Sequence, residues 1–309
     1  MTGTTVRRRL DALVADGRLE LPMPGHGRTA DRWLALLALA RRDDVAVARL
    51  AEAHVDALAI LHEAGLEPVE HALYGVWASV GRGRDVELDA DGRVSGSKPF
   101  CSGIGVVDRA LVDVHVGDRR QLVDVAVGPG ALDTVTPGDG WATPALADTA
   151  TGPVRFAGHP VDRLVGDPGW YLDRVGFWHG ASGPAACWAG AAIGLVDDHD
   201  PGDDPFRRAH FGAMRAESHL LETVLTRAGD TIDRHPDDGS TARVTALMTR
   251  YLVHESCLRI ADRYARSAGP RGLIGERSSQ RYADLLLYVR QFHADHDLVA
   301  LTRTILDDG

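Results

Sequence analysis

The densest group of chemically capable side chains is His293, Asp295, His296 and Asp297, on a stretch that reads as helix. His293 and Asp297 stand at i and i+4, and His293 and His296 at i and i+3, so each pair shares a helix face. A histidine beside a carboxylate can serve as a general base near neutral pH. His293 with Asp297 can equally hold a metal, and a solvated helix face with a capping role is the third reading; two-ligand spacing does not decide among them. A second run, Lys98-Pro99-Phe100-Cys101-Ser102-Gly103, reads as a tight Gly-containing turn and a polar step leading into an apolar strand, Ala110–Val116. Ser102 supplies a hydroxyl and a backbone N–H for an acceptor, or else caps the strand start. Phe100 is an aromatic cover or core packing, and Cys101 points the opposite way in an extended segment. Trp77 and Ser79 alternate with Val76 and Ala78, which gives one face of that strand a polar-aromatic character.

Three regions must position these residues. From about Arg7 to Gly65 the pattern is helical: Asp31–Ala40 with Thr29 as N-cap, then Val45–Ala64 ending at Gly65. Along the second helix Leu50, Ala53, Ala57 and Leu61 form the apolar stripe. From about His71 to Val165 the helical period fades. Strands are predicted at Tyr74–Val80, Val94–Lys98, Ala110–Val116, Gln121–Val127, Trp141–Ala142 and Val154–Phe156, with a hairpin at Asp91-Gly92. Their spacing suggests a small antiparallel barrel or sandwich. From about Asp173 the helical period returns in Ala185–Val196, Pro205–Ala228, Ala242–Ser267 and Ser278–Leu306, which favours a four-helix bundle. The domain reading is 1–70 helical, 71–168 β, 169–309 bundle, an α+β architecture.

Composition narrows the function classes. The chain has 309 residues, 44% hydrophobic and 25% charged, with a formal net charge of −10. That charge argues against nucleic acid as a partner, because phosphate neutralisation needs clustered Lys and Arg. No 18-residue apolar run and no signal peptide is read, and three widely spaced cysteines fit reduced thiols, so the expectation is a cytoplasmic protein without membrane contact. The Arg, Ala, Gly, Val and Asp bias resembles high-GC bacterial coding. No P-loop, Rossmann fingerprint, zinc pattern or nucleophile elbow is found. The single histidines His54, His62, His219 and His254 read as structural, and the adjacent His254-Glu255 pair diverges around its helix.

The order of these segments resembles the acyl-CoA dehydrogenase family over about Leu21 to Leu306. Trp77-Ala78-Ser79 with Gly81 resembles its first flavin strand and Lys98–Gly103 its second. Arg174-Val175-Gly176-Phe177 resembles the entry to the C-terminal bundle, and Ala185–Leu195 its first helix. Ala265–Leu273, with Arg271 and Gly272, resembles the Gly-rich turn that receives the flavin diphosphate of a neighbouring subunit. Ser279–Leu285 resembles the start of the last helix.

The resemblance implies FAD bound between the β domain and the bundle, with Ser102, Phe100, Cys101, Trp77 and Ser79 at the ring. It also implies Trp178, His179 and Trp188 at a substrate cleft, and a homodimer or homotetramer. Two features depart from the family. The N-terminal region is about half the usual length, and the family's Tyr-Glu-Gly-Thr base is absent: Arg290–Asp297 stands there, while Gly183-Pro184-Ala185 occupies the other position known for a base. The Arg-x-x-Phe-Gly flavin run is shortened to Phe206–Gly212. The expected activity is therefore FAD-dependent oxidation of a small or carrier/CoA-bound thioester substrate, by hydride transfer to flavin N5, with His293 as a non-standard base and an electron-transfer or reductase partner. The alternatives are a flavin monooxygenase and a flavin-free binding or assembly subunit. Arg281 and Asp284 are read as an i, i+3 salt bridge.

Overall fold

A computed structural model describes residues 3–79, 86–131, 134–138, 140–292 and 294–307, without the side chains of 3, 4, 276 and 307. In chain order it contains α1 (Gly3–Ala15), α2 (Thr29–Arg42), α3 (Val45–Glu63), β1 (Tyr74–Trp77), β2 (Val86–Leu88), β3 (Arg93–Cys101), β4 (Arg109–Val116) and β5 (Arg119–Ala126). There follow β6 (Val135–Pro137), β7 (Gly152–Pro160), β8 (Arg163–Val165), α4 (Trp170–Asp173), α5 (Val175–Gly180), α6 (Gly183–Asp197), α7 (Pro205–Arg234), α8 (Gly239–Gly272), α9 (Glu276–Tyr288) and α10 (Ala294–Asp307). These elements form two compact units, one of residues 1–20, 50–143 and 147–177, the other of residues 21–49, 144–146 and 178–309.

The first unit is a sheet with the order β6-β7-β3-β2-β4-β5-β8. β1 and β2 lie along one edge of β4, and both pair with it in parallel, so the sheet is mixed rather than antiparallel. Asp91-Gly92 makes the expected β2–β3 hairpin: Gly92 has φ +73°, and the Asp89 carboxylate accepts from the N–H groups of Asp91 and Arg93. β4 shows why one strand serves two faces. Ala110, Val112 and Val114 enter a core with Trp77, Cys101, Val123 and Phe156, while Leu111 faces a second core with Ala57, Ile60 and Leu61 of α3.

Several expectations need correction here. Trp141–Ala142 is not a strand, whereas the three-residue strands β2, β6 and β8 are present. Lys98–Cys101 belongs to strand β3 and not to a turn; the turn follows, with positive φ at Gly103 and Gly105. Val80 and the run 81–84 lie outside the described residues.

The second unit is helical. α6 consists largely of small residues, and this lets α2 approach at backbone distance: a Cβ at Gly190 would overlap the Leu37 carbonyl oxygen, and one at Gly194 would crowd the Arg41 carbonyl oxygen as well as the Arg281 guanidinium of α9. Gly190 meets Leu37 while Gly194 meets Arg41, so the two helices run parallel. Thr29 is the first residue inside α2 and not its N-cap. The Asp233 carboxylate of α7 takes that role, accepting from the N–H groups of Gly27 and Thr29 and from the Thr29 hydroxyl. The expected last helix Ser278–Leu306 is two helices, α9 and α10. α8 is broken near its end at Gly269, where φ is +62° ahead of Pro270.

Candidate functional site

Each unit carries one group of the candidate residues. In the first unit they gather where β1 and β3 end. β3 slips register against β7 between Lys98 and Cys101, and within that bulge Phe100 takes φ +56°. A left-handed backbone is unfavourable for an L-residue with a large side chain. Here it turns the ring outward, leaving Phe100 65% exposed rather than packed in the core. Its neighbours are fixed. The Lys98 side chain is buried and donates from Nζ to the Asp113 carbonyl at 2.7 Å. The Pro99 carbonyl accepts from the Ser79 hydroxyl at 2.8 Å. Cys101, carried with the flavin-facing run, is instead part of the apolar core, and burial pushes its thiol pKa up to about 12.

Trp77 is also buried and spends its indole N–H on the Ser102 carbonyl at 2.9 Å. The Ser102 hydroxyl accepts from Thr151 at 2.8 Å, and Thr151 meets Thr149 at 2.7 Å. One proton per hydroxyl makes this a directed chain, Thr149 to Thr151 to Ser102. Gly103 anchors its end by donating to the Thr149 carbonyl at 2.8 Å. Thr149 and Thr151 were not foreseen, because a Thr-x-Thr loop has no spacing signature that distinguishes it from ordinary loop composition.

In the second unit, Trp178 and His179 lie on α5 and Trp188 on α6. His179 is buried with its ring against Gly25, whose φ is +81°. Trp188 is buried edge-on to Tyr288 at 6.0 Å and tilted to Phe292 at 5.8 Å. Its indole N–H has no acceptor among the described residues. Two guanidiniums lie over this aromatic group, Arg49 at 5.0 Å from the Tyr288 ring and Arg250 at 4.5 Å from Phe292. Arg250 also forms a buried two-bond pair with Asp297, its Nε–Oδ2 distance being 2.8 Å.

That pair settles part of the His293 cluster. Asp297 has both oxygens on Arg250, so it is not a metal ligand in waiting, while Asp295 and His296 lie on the solvated side. His293 itself lies outside the described residues. Arg271 is exposed at the end of α8, and the Gly272 carbonyl accepts from the Ser278 hydroxyl at 3.1 Å. Arg281 and Asp284 do not pair with each other. Arg281 donates to the Ala40 and Asp43 carbonyls at the end of α2, and Asp284 accepts from Leu146 N–H and Gln280. His254 and Glu255 do meet, at 3.2 Å, contrary to the expected divergence.

No protein-family model matches this sequence, and no curated protein matches it significantly. Solved structures do. TdsC from Paenibacillus sp. A11-2, in complex with FMN and indole, superposes with a TM-score of 0.78 at 16% identity, covering 99% of this chain and 90% of that one. Methanesulfinate monooxygenase MsuC from Pseudomonas fluorescens gives 0.70 at 15% identity, covering 100% and 98%. Butyryl-CoA dehydrogenase from Megasphaera elsdenii gives 0.73 at 15% identity, covering 89% and 81%. Among the described residues no helix is long and apolar enough to cross a membrane. The α+β arrangement expected from the order of sequence segments holds, and the chain has the acyl-CoA dehydrogenase-like fold.

Proposed function

We propose that this protein is a flavin-dependent oxidoreductase acting on a small or thioester substrate. The observation that carries this reading is the end of β3, where an outward-facing Phe100 on a left-handed backbone adjoins the Thr149–Thr151–Ser102 hydroxyl chain. Strained backbone that holds an aromatic side chain in solvent has no folding rationale, and such strain concentrates at ligand sites. The donor set suits a flat, acceptor-rich ring: Ser102 would hydrogen-bond its polar edge and Phe100 would cover a face. Bound flavin would supply two-electron redox chemistry. Trp77 and Ser79 act behind this edge by fixing the Ser102 and Pro99 carbonyls. FMN in the TdsC complex and an FAD complex of PigA, which shares the fold with a TM-score of 0.78, support a flavin in general; FAD is the form assigned here. His293 is assigned as base from its place in Arg290–Asp297, the stretch that stands where the family's Tyr-Glu-Gly run would be.

A monooxygenase reaction is the second reading. The missing Tyr-Glu-Gly run favours it, and so does the presence of monooxygenases among proteins of this fold. A homodimer or homotetramer is assigned from the family resemblance of the Ala265–Leu273 turn, which in the family receives the flavin diphosphate of a neighbouring subunit.

The test is the visible spectrum of the purified protein with added FAD or FMN. Bands near ~370 and ~450 nm that co-elute with protein support the reading. Anaerobic bleaching by a thioester then favours the dehydrogenase, and oxygen uptake with an external reductase favours the monooxygenase. A colourless protein that binds neither flavin refutes both and leaves a binding or assembly subunit.

A further inference from the structure

The chain holds 44 acidic residues against 34 Lys and Arg, and its buried arginines are accordingly engaged. Arg109 meets Asp124, Arg174 meets Glu63, Arg250 meets Asp297, and Arg281 caps α2. Arg243, half-buried in the second turn of α8, differs. Among the described residues it makes no ion pair, and its Nε–H is buried without an acceptor. Its guanidinium lies over the Trp178 indole at 5.4 Å.

The surrounding sequence explains the lack of an acid. The positions three and four residues away along the helix, Gly239, Ser240, Ala246 and Leu247, carry no carboxylate. The nearest helix acid, Asp238, is the N-cap of α8 and is held by the Thr241 N–H and hydroxyl. Leaving a charged donor buried and unmatched is costly unless an acceptor arrives.

The guanidinium is planar by its own bonding, so the Nε–H and the adjacent Nη–H form a fork, and the Trp178 ring 5.4 Å away gives the cation an aromatic face to rest on. A planar two-oxygen acceptor fits that fork with two parallel hydrogen bonds. Resting on the reading of the chain as an enzyme of small substrates, we infer that Arg243 binds a carboxylate group of the substrate, with the Trp178 ring as the aromatic platform beside the guanidinium. The substrate class is thereby a carboxylic acid, and Arg243 determines specificity without touching the reacting atoms.

The test is equilibrium binding of benzoate and of benzamide, two probes of nearly one shape that differ in charge, by calorimetry on the full chain. It needs no flavin, so its failure is separate from a failure to bind FAD. Saturable benzoate binding at or below ~1 mM, at least tenfold tighter than benzamide, is expected. Arg243→Gln loses that preference, and Arg243→Lys loses it by about tenfold as well, because a lysine keeps the charge without the fork. Equal binding of the two probes, no saturable benzoate binding to ~10 mM, or unchanged preference in folded variants overturns the assignment. Tighter binding of inorganic phosphate than of benzoate overturns the carboxylate.

Discussion

Replacing Phe100 by Asn separates strain from function. Phe100 has φ +56°, and holding an L-residue there costs about 1–2 kcal/mol. Asn tolerates this region and recovers most of that cost. The phenyl ring is 65% exposed, so only about a third of its surface is covered; with a fully buried Phe worth up to about 3 kcal/mol, its loss costs about 1 kcal/mol. The two effects nearly cancel. Urea unfolding of Phe100→Asn should therefore stay within about 1 kcal/mol of the parent, whereas a core Phe would lose about 3–5 kcal/mol on truncation. Flavin affinity should fall. An aromatic contact worth about 0.5–1.5 kcal/mol corresponds to a roughly two- to twelvefold weaker Kd, read by quenching of flavin fluorescence. A stability loss above about 3 kcal/mol would show that the ring is core, and an unchanged flavin Kd would show that it covers nothing.

The remaining predictions address the scaffold. Burial pushes the His54 pKa down to about 4, and its Nδ1 accepts from the Tyr74 N–H at 3.2 Å, so the ring is neutral when folded. The unfolded chain binds that proton near pH 6.5, so stability is complete above this and falls by up to about 3 kcal/mol as pH drops towards 4. His54→Asn, which keeps an acceptor but does not titrate, should flatten that part of the stability–pH profile; an unchanged profile refutes the assignment. Gly190→Ala should destabilise by about 1–3 kcal/mol despite a better helix former, because its methyl group meets the Leu37 backbone. A gain in Tm would contradict the close approach of α2 and α6. Asp297→Asn should cost about 3 kcal/mol by leaving Arg250 buried and unpaired, while Arg250→Met with Asp297→Leu should recover most of it. A double variant worse than either single one would refute the pairing.

What the sequence made legible was local. The 3–4 spacing in α2 and α3, the small-residue run of α6 and the Asp91-Gly92 turn are all signals within one element. The split of the last helix carries no Gly or Pro between Tyr288 and Ala294, so nothing marked it. β6 and β8, three residues each, are too short for alternation to show. Side-chain pairings were illegible for a different reason. Arg281 bonds carbonyls 241 and 238 positions away, and Asp297 bonds Arg250 from 47 away. Helix spacing had matched each with a near neighbour. The sequence marks Phe100 as a candidate aromatic, but its outward ring depends on a bulge set by pairing with β7.

The carboxylate of Asp233 gives the synthesis of this chain a time order. It is separated from Thr29 by 204 positions, and at about 5–20 residues per second those positions take roughly 10–40 s to emerge. During that interval α2 exists with its leading amides unmet by Asp233. A helix of 14 residues is marginal alone, and its buried set includes Trp33, Leu36, Leu37 and Leu39. The nascent chain thus carries α2 without this cap until α7 has been made, although α6, made earlier, already meets its Leu37 turn. A chain cut before Asp233 therefore keeps the α6 contact of α2 but loses its cap.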